Sequence, residues 1–249
     1  MTNPSLLLAA ILSLALAPMS AQESPSAPGP QGKEPAAVET PGPEVEAFLE
    51  AGGKKWTGLK SLALKFRQEK KLRILRRPRV SEGDLIYTDG KLSIIVRGRD
   101  GEVETRLVLK DGFLRIFYPK LKRLEVIEVG SGTAPPGASM SFLSSDPRQL
   151  KEAYRMSLTR GEKGDVLTLV PRDSKSPVKQ VELTLVDFEV RLYKTVDTSG
   201  DEMKLEILSS EVNAVVPPDR FEMDVPVGTE EVYPAGGKKS APEDAAKRK

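Results

Sequence analysis

The densest run of chemically active side chains is KFRQEKKLRILRRPR, residues 65–79, where eight basic groups stand against the single acid Glu69. Basic charge at that density binds anions, whether nucleic-acid phosphates, lipid head groups or an acidic protein surface. Other chemistries are short of parts. With no histidine and no cysteine, the chain lacks the commonest general base, a thiolate nucleophile and the usual metal ligands. No Gly-x-Ser-x-Gly elbow, P-loop or strand-linked GxGxxG occurs. Acidic pairs such as Glu102/Glu104 and Glu230/Glu231 read as solvated surface charge. The expectation is a protein that is no enzyme and carries no cofactor or metal.

The net charge of +2 hides an uneven distribution. Outside residues 65–79 the chain holds thirty basic and thirty-five acidic groups, so its body is acidic. A nucleic-acid binder spreads positive charge along a face and interleaves aromatics for stacking. Here no aromatic follows Phe66 within the run. No nucleic-acid partner is expected.

Residues 6–17 are Leu, Ala and Ile apart from Ser13, too short to span a bilayer and suited to a signal-peptide core. Cleavage after Ala21 fits the small residues there, although the first residues lack Lys or Arg and Met19 is large. A retained membrane anchor is the competing reading. Export to the periplasm follows from the first reading. Residues 22–43 are rich in Pro, Ala, Gly, Ser and Glu, which cannot bury enough surface to order a chain. They read as a disordered linker, and residues 234–249 as a disordered basic tail. One domain is expected over 44–233.

Within it, PEVEAFLEA opens with Pro and acids and places Val45, Phe48 and Leu49 on one face, which predicts a helix ended by Gly52-Gly53. From Ser61 the period becomes two, with Leu62, Leu64 and Phe66 on one side. Short strands follow, punctuated by Asp89-Gly90, Asp111-Gly112 and Ser199-Gly200. A helical pause is predicted around Met140, Phe142 and Leu143, then a second short helix from Asp146-Pro147 through Tyr154. Nothing alternates as β-α-β. The fold class is therefore mainly β (α+β), a strongly curved antiparallel sheet of about eleven strands with short helices against its concave face.

Several strands are apolar on both faces, for example Ile94-Ile95-Val96 and Leu107-Val108-Leu109. Two packed sheets would explain that excess. So would a sheet curled round an apolar ligand cavity.

Four stretches in order carry a family resemblance: FRQEKKLRILRRPRVSEGDLIY, LVLKDGFLRIFYP, LTLVP and VDTSGDEMKLEILSSEVNAVVPPDRFEMDVPVG. They are similar to the F-x-Q and Gly-led strand, the D-G-x-x-L-x-x-Y-x-P motif, and the D-x-x-G turn with following Asn, Phe and Pro-x-Gly of LolA. Over roughly 44–233 the chain resembles the LolA family of periplasmic outer-membrane lipoprotein carriers. The resemblance implies an unclosed β-barrel with helices as a lid over a hydrophobic cavity. It implies acyl cargo received from an inner-membrane ABC transporter and passed to an outer-membrane acceptor by a monomer. Alternation then offers Leu62, Leu64, Phe66, Leu85, Tyr87, Leu92, Ile94, Leu107, Leu109, Phe117, Leu183 and Leu185 as lining. Lid candidates are Phe48, Leu49, Met140, Phe142 and Leu143. Arg73, Arg76, Arg77 and Arg79 are candidates for docking to a membrane or partner.

There is one departure. Where the family has an Arg-Pro pair followed by an aromatic, with the Arg tying the lid shut by hydrogen bonds, this chain reads Tyr87-Thr88-Asp89-Gly90-Lys91-Leu92-Ser93-Ile94. Lid control is expected to differ, and the cargo could be a lipoprotein or another acylated lipid. The alternative role is an envelope sensor or regulator on the same fold.

Overall fold

The computed structural model describes residues 42–55, 58–88, 90–128 and 147–233. The expected signal peptide, the linker as far as residue 41 and the tail lie outside the described residues, as does the segment with Met140, Phe142 and Leu143; Pro43, expected in the linker, begins the first helix. Helix α1 is Pro43–Lys55, followed by β1 (Ser61–Lys71), β2 (Arg79–Thr88), β3 (Lys91–Arg97), β4 (Val103–Lys110) and β5 (Phe113–Tyr118). A single 3-10 turn, Pro119–Leu121, precedes β6 (Arg123–Glu128). Helix α2 (Pro147–Ala153) leads into β7 (Tyr154–Thr159), β8 (Asp165–Pro171), β9 (Val178–Val186), β10 (Glu189–Asp197) and β11 (Glu202–Val212). A 3-10 turn, Pro218–Phe221, and a three-residue β12 (Glu230–Val232) close the described chain.

The strands are ordered β12-β6-β5-β4-β3-β2-β1-β11-β10-β9-β8-β7 in one twelve-stranded sheet. It ends at β12 and β7 and is open and unclosed, as the sequence suggested. The antiparallel expectation fails at one end, where β12 runs parallel to β6. The reason is a Pro-rich return: Thr229 N–H bonds Pro226 O at 3.2 Å with Gly228 at φ 85°, and this turn delivers Glu230 to the β6 edge.

Tight hairpins follow the turn chemistry. Asp111 and Gly112 both have positive φ (53° and 77°), the type I′ pattern matching strand twist. Asp187 and Phe188 repeat it at 49° and 62° without a glycine.

Two compact units divide the described residues. The first takes residues before 60, Arg67–Val80 and those from α2 to Leu208; the second takes Lys60–Phe66, the strands β2 to β6 from Ser81 onward, and Ser209 onward.

In the first unit α1 does not stop at Gly52-Gly53 but continues to Lys55. Tertiary packing overrides the glycines' low helix propensity here. Gly52 is buried, and a Cβ there would stand 3.3 Å from the Phe188 ring. Lys55 Nζ donates to the Asp187 carbonyl. Leu150 of α2 is fully buried, and Arg172 N–H closes the α2–β7 junction on Ala153 O at 2.8 Å.

In the second unit Asn213, at φ 58°, fastens the end of β11 to the start of β1. Its Oδ1 accepts Lys60 N–H at 2.8 Å, and its own N–H donates to Ser61 O at 2.8 Å. Gly83 of β2 lies under Phe66: a Cβ there would overlap the Phe66 ring and stand 2.5 Å from Ile95 O.

Candidate functional site

Residues directly opposite in an antiparallel ladder share a face, so the registers sort every strand side chain. In the second unit one row runs Leu85–Ile94–Leu107–Ile116, and the next runs Tyr87–Leu92–Leu109–Leu114–Ile127. Leu85, Leu92, Ile94, Leu107 and Leu114 are at most 1% exposed. Tyr87, Leu109 and Ile116 are half-buried. Phe66 belongs to the same face, because its ring covers Gly83, which shares the face of Leu85. Leu62 and Leu64 alternate with it along β1, and both are buried. A polar end follows on β6: the first row meets Glu125, which bonds Arg123 at 3.0 Å. Burial, with the charge of Glu125, pushes the Tyr118 phenol up.

Phe117 does not belong with the other lining candidates. It pairs with Arg106, while Leu107 pairs with Ile116, so Phe117 faces the other side of the sheet. There it forms a cluster with Leu124 and Val126, under Phe113, Met223, Val225 and Tyr233. The C-terminal segment is held across that face by polar bonds. Arg106 Nη2 donates to the Glu222 carbonyl, and Lys110 Nζ bonds Glu222 Oε1 at 2.6 Å. In FLRIFY the sets Phe113-Arg115-Phe117 and Leu114-Ile116-Tyr118 are both mostly apolar, so composition alone did not assign the face.

The first unit has its own pair of rows. One is Leu158–Leu167–Leu183–Tyr193–Leu205, and the other is Met156–Leu169–Val181–Thr195–Met203. Leu183 and Leu185 both lie on this face, buried. Gln68 of β1 is 1% exposed, and its Nε2 meets Met203 Sδ at 3.1 Å. Helix α1 packs against β7 through a face containing Val45, Phe48 and Leu49.

Sequence reasoning missed what holds α1. Phe48 stacks at a tilt on Phe188, centroids 5.0 Å apart, and the Arg160 guanidinium lies 5.2 Å from the centre of the Phe48 ring. Asp165 Oδ2 holds Arg160 at 2.5 Å. Glu46 pairs with Lys151 of α2. Phe188 occupies the left-handed region at φ 62°, uncommon for an aromatic, and packing against Phe48 and Gly52 compensates that strain. The signal available was the two-residue gap between the VKQVELTLV and EVRLYKTVD strands, which leaves only Asp187 and Phe188 for the turn.

The docking arginines separate. Arg73 is committed, its N–H bonding Asp201 Oδ1 and its Nη1 bonding Ser199 O, each at 2.8 Å. Arg76 and Arg77 are exposed in the β1–β2 connection, and Arg79 begins β2.

Among solved structures the chain is similar to an uncharacterized conserved protein from Thermus thermophilus, at 10% identity and TM-score 0.46, covering 76% of this chain and 99% of that one. It is also similar to a putative outer membrane lipoprotein-sorting protein domain from Vibrio parahaemolyticus (15% identity, TM-score 0.38, 70% and 95% covered). A third is a LolA superfamily protein from Nitrosomonas europaea (10% identity, TM-score 0.39, 72% and 97% covered). No curated protein sequence matches. The family model described as outer membrane lipoprotein carrier protein LolA matches residues 57–224, most of the chain, and the chain belongs to that family.

Proposed function

We propose that this protein is a periplasmic carrier that receives acyl chains of a lipoprotein against its apolar sheet faces and moves them between membranes without covalent chemistry. The observation that carries the reading is the pair of unbroken apolar cross-strand rows on one face of β2–β5. LolA-family proteins are periplasmic binding carriers and not enzymes, which agrees with it. Among the described residues no helix is long and apolar enough to cross a membrane.

The energetics explain why such a protein is needed. Each methylene moved from a bilayer into water costs about 0.8 kcal/mol, so a lipoprotein's chains do not leave a membrane unaided. A face of Leu, Ile and Phe removes most of that cost and asks nothing of an acid or base. Helix α1, with Phe48 and Leu49, acts as the part that yields to cargo. An inner-membrane ABC transporter would load the carrier and an outer-membrane acceptor would unload it.

The test is binding of a fluorescent fatty-acyl probe, together with mass spectrometry of lipid that co-purifies with the exported protein. Tyr87→Asp with Leu109→Asp puts charge on half-buried positions of the second row and should weaken probe binding about tenfold or more. A wild-type protein that carries no lipid and binds no probe, yet captures a specific envelope protein, would sink the carrier reading and favour a regulatory one.

A further inference from the structure

The β1–β2 connection, residues 72–78, reads Leu-Arg-Ile-Leu-Arg-Arg-Pro, and its chemistry is wrong for an ordinary solvent loop. Leu75 N–H bonds Leu72 O at 2.9 Å, a turn that places Arg73 and Ile74 at its two corners. Gly, Asn, Asp and Pro favour such corners because they supply the needed dihedrals or local hydrogen bonds; Ile does neither. Nor is the apolar tip folded back onto the protein. Ile74 is 88% exposed and Leu75 47%.

The tip is nonetheless held firmly. Arg73 anchors it to the β10–β11 turn by its two bonds to Asp201 and Ser199. Gly200 has no side chain where the Arg73 stem passes; a Cβ there would stand 3.1 Å from Arg73 Cδ. The Asp197 carboxylate braces that turn in its own right, accepting Asp201 N–H at 2.8 Å and the Ser199 hydroxyl at 2.6 Å. Arg73 is thus a positioning residue, and Arg76 and Arg77 are exposed cations directly after the tip. A rigid turn that presents two aliphatic side chains flanked by arginines, on a chain whose remainder is acidic, matches a surface that is apolar beneath and anionic on top.

We infer that the β1–β2 tip docks this protein on an anionic lipid surface. Ile74 and Leu75 enter the boundary between head groups and acyl chains, while Arg76 and Arg77 meet lipid phosphates. This goes beyond the carrier reading and does not depend on cargo, because docking is read with no acyl ligand present.

The absence of cysteine gives a clean test. In the full chain, Ile74→Cys carries one environment-sensitive fluorophore, and Val227→Cys, fully exposed elsewhere, is the control. With vesicles of phosphatidylglycerol and phosphatidylethanolamine, emission at position 74 should rise and shift to the blue, while position 227 stays in water. Phosphatidylcholine vesicles should give little change. Each arginine near an anionic surface contributes about fivefold to binding, so Arg76→Glu with Arg77→Glu should weaken the response about tenfold or more. Ile74→Ser, read by vesicle sedimentation, should cost about tenfold. The residues 238–249 are also basic and can draw the chain to vesicles, which is why the label reads the tip itself. A tip that stays in water while the protein sediments with anionic vesicles overturns the inference. So does equal response on phosphatidylcholine, or shielding of position 74 by an acidic protein alone.

Discussion

The two units build the same device, a pair of apolar cross-strand rows, but cover their sheets by different means. In the first, helix α1 packs on β7 and is held by side chains: the Phe48–Phe188 pair, Arg160 over Phe48, and Glu46 with Lys151. In the second, the segment after Asn213 lies on the face opposite the rows and is fastened by backbone bonds at both ends. Asn213 ties it to β1, and the β12–β6 ladder secures its far end. Exposed ion pairs such as Glu46 with Lys151 contribute individually little and part easily, whereas a backbone ladder opens only as a unit. A helix held in the first way can yield to a ligand. A strap held in the second way is structural, and it keeps the Phe117 side of the sheet permanently occupied.

Two large effects of similar size are expected, and the first tests whether the second unit's rows are close-packed. Gly83→Ala would force its methyl into the Phe66 ring and the Ile95 carbonyl, and neither a 1%-exposed ring nor a ladder carbonyl has room to retreat. A cost of about 3 kcal/mol in urea unfolding is expected. An unchanged midpoint would mean that Phe66 moves freely, and the rows would then be slack.

Next comes the helix. Phe48→Ala removes both the Phe188 contact and the platform under Arg160, and it should cost about 3 kcal/mol. Arg160→Met keeps the bulk but loses the cation, for about 0.5–1 kcal/mol. Amide exchange should localise both losses to residues 45–55, with β3 and β4 unaffected. Equal loss of protection in both units would erase the distinction between a yielding helix and a fixed strap.

Much of this was legible beforehand, for identifiable reasons. Strands such as VETRLVLK and EVRLYKTVD have alternation and turn residues that agree, so their bounds follow from local chemistry. The face of Phe117 was not legible, because Phe113 and Phe117 compete with Leu114 and Ile116 for the same interior. Helix α1 outran its glycines because Phe188, far along the chain, packs on Gly52. Likewise Arg160 carries no local sign of its role; only the fold brings it to Phe48. The tip at Ile74-Leu75 was visible in the sequence but masked by its arginines, which drew attention to charge alone.

The smallest effect separates the strap from the helix by pH. Hydrogen bonding to Lys110, then its charge, holds the Glu222 carboxyl below its ordinary value, while Glu222 holds Lys110 above its own. A depressed carboxyl stabilises the folded state above its unfolded pKa, and that contribution is lost as pH falls through the lowered folded value. Lys110 stays charged throughout that window, so the loss belongs to Glu222. The Arg106 guanidinium keeps its bond to the Glu222 carbonyl, and the β12 ladder remains. Acid should therefore loosen residues 213–233 only slightly, read as faster amide exchange or proteolysis there. Glu222→Gln should remove that acid step from the strap while leaving α1 unchanged, because the ion pairs of α1, Glu46 with Lys151 and Glu50 with Lys54, do not involve Glu222. A large acid-induced release of the strap, or a step that survives Glu222→Gln, would show that side chains rather than backbone hold it.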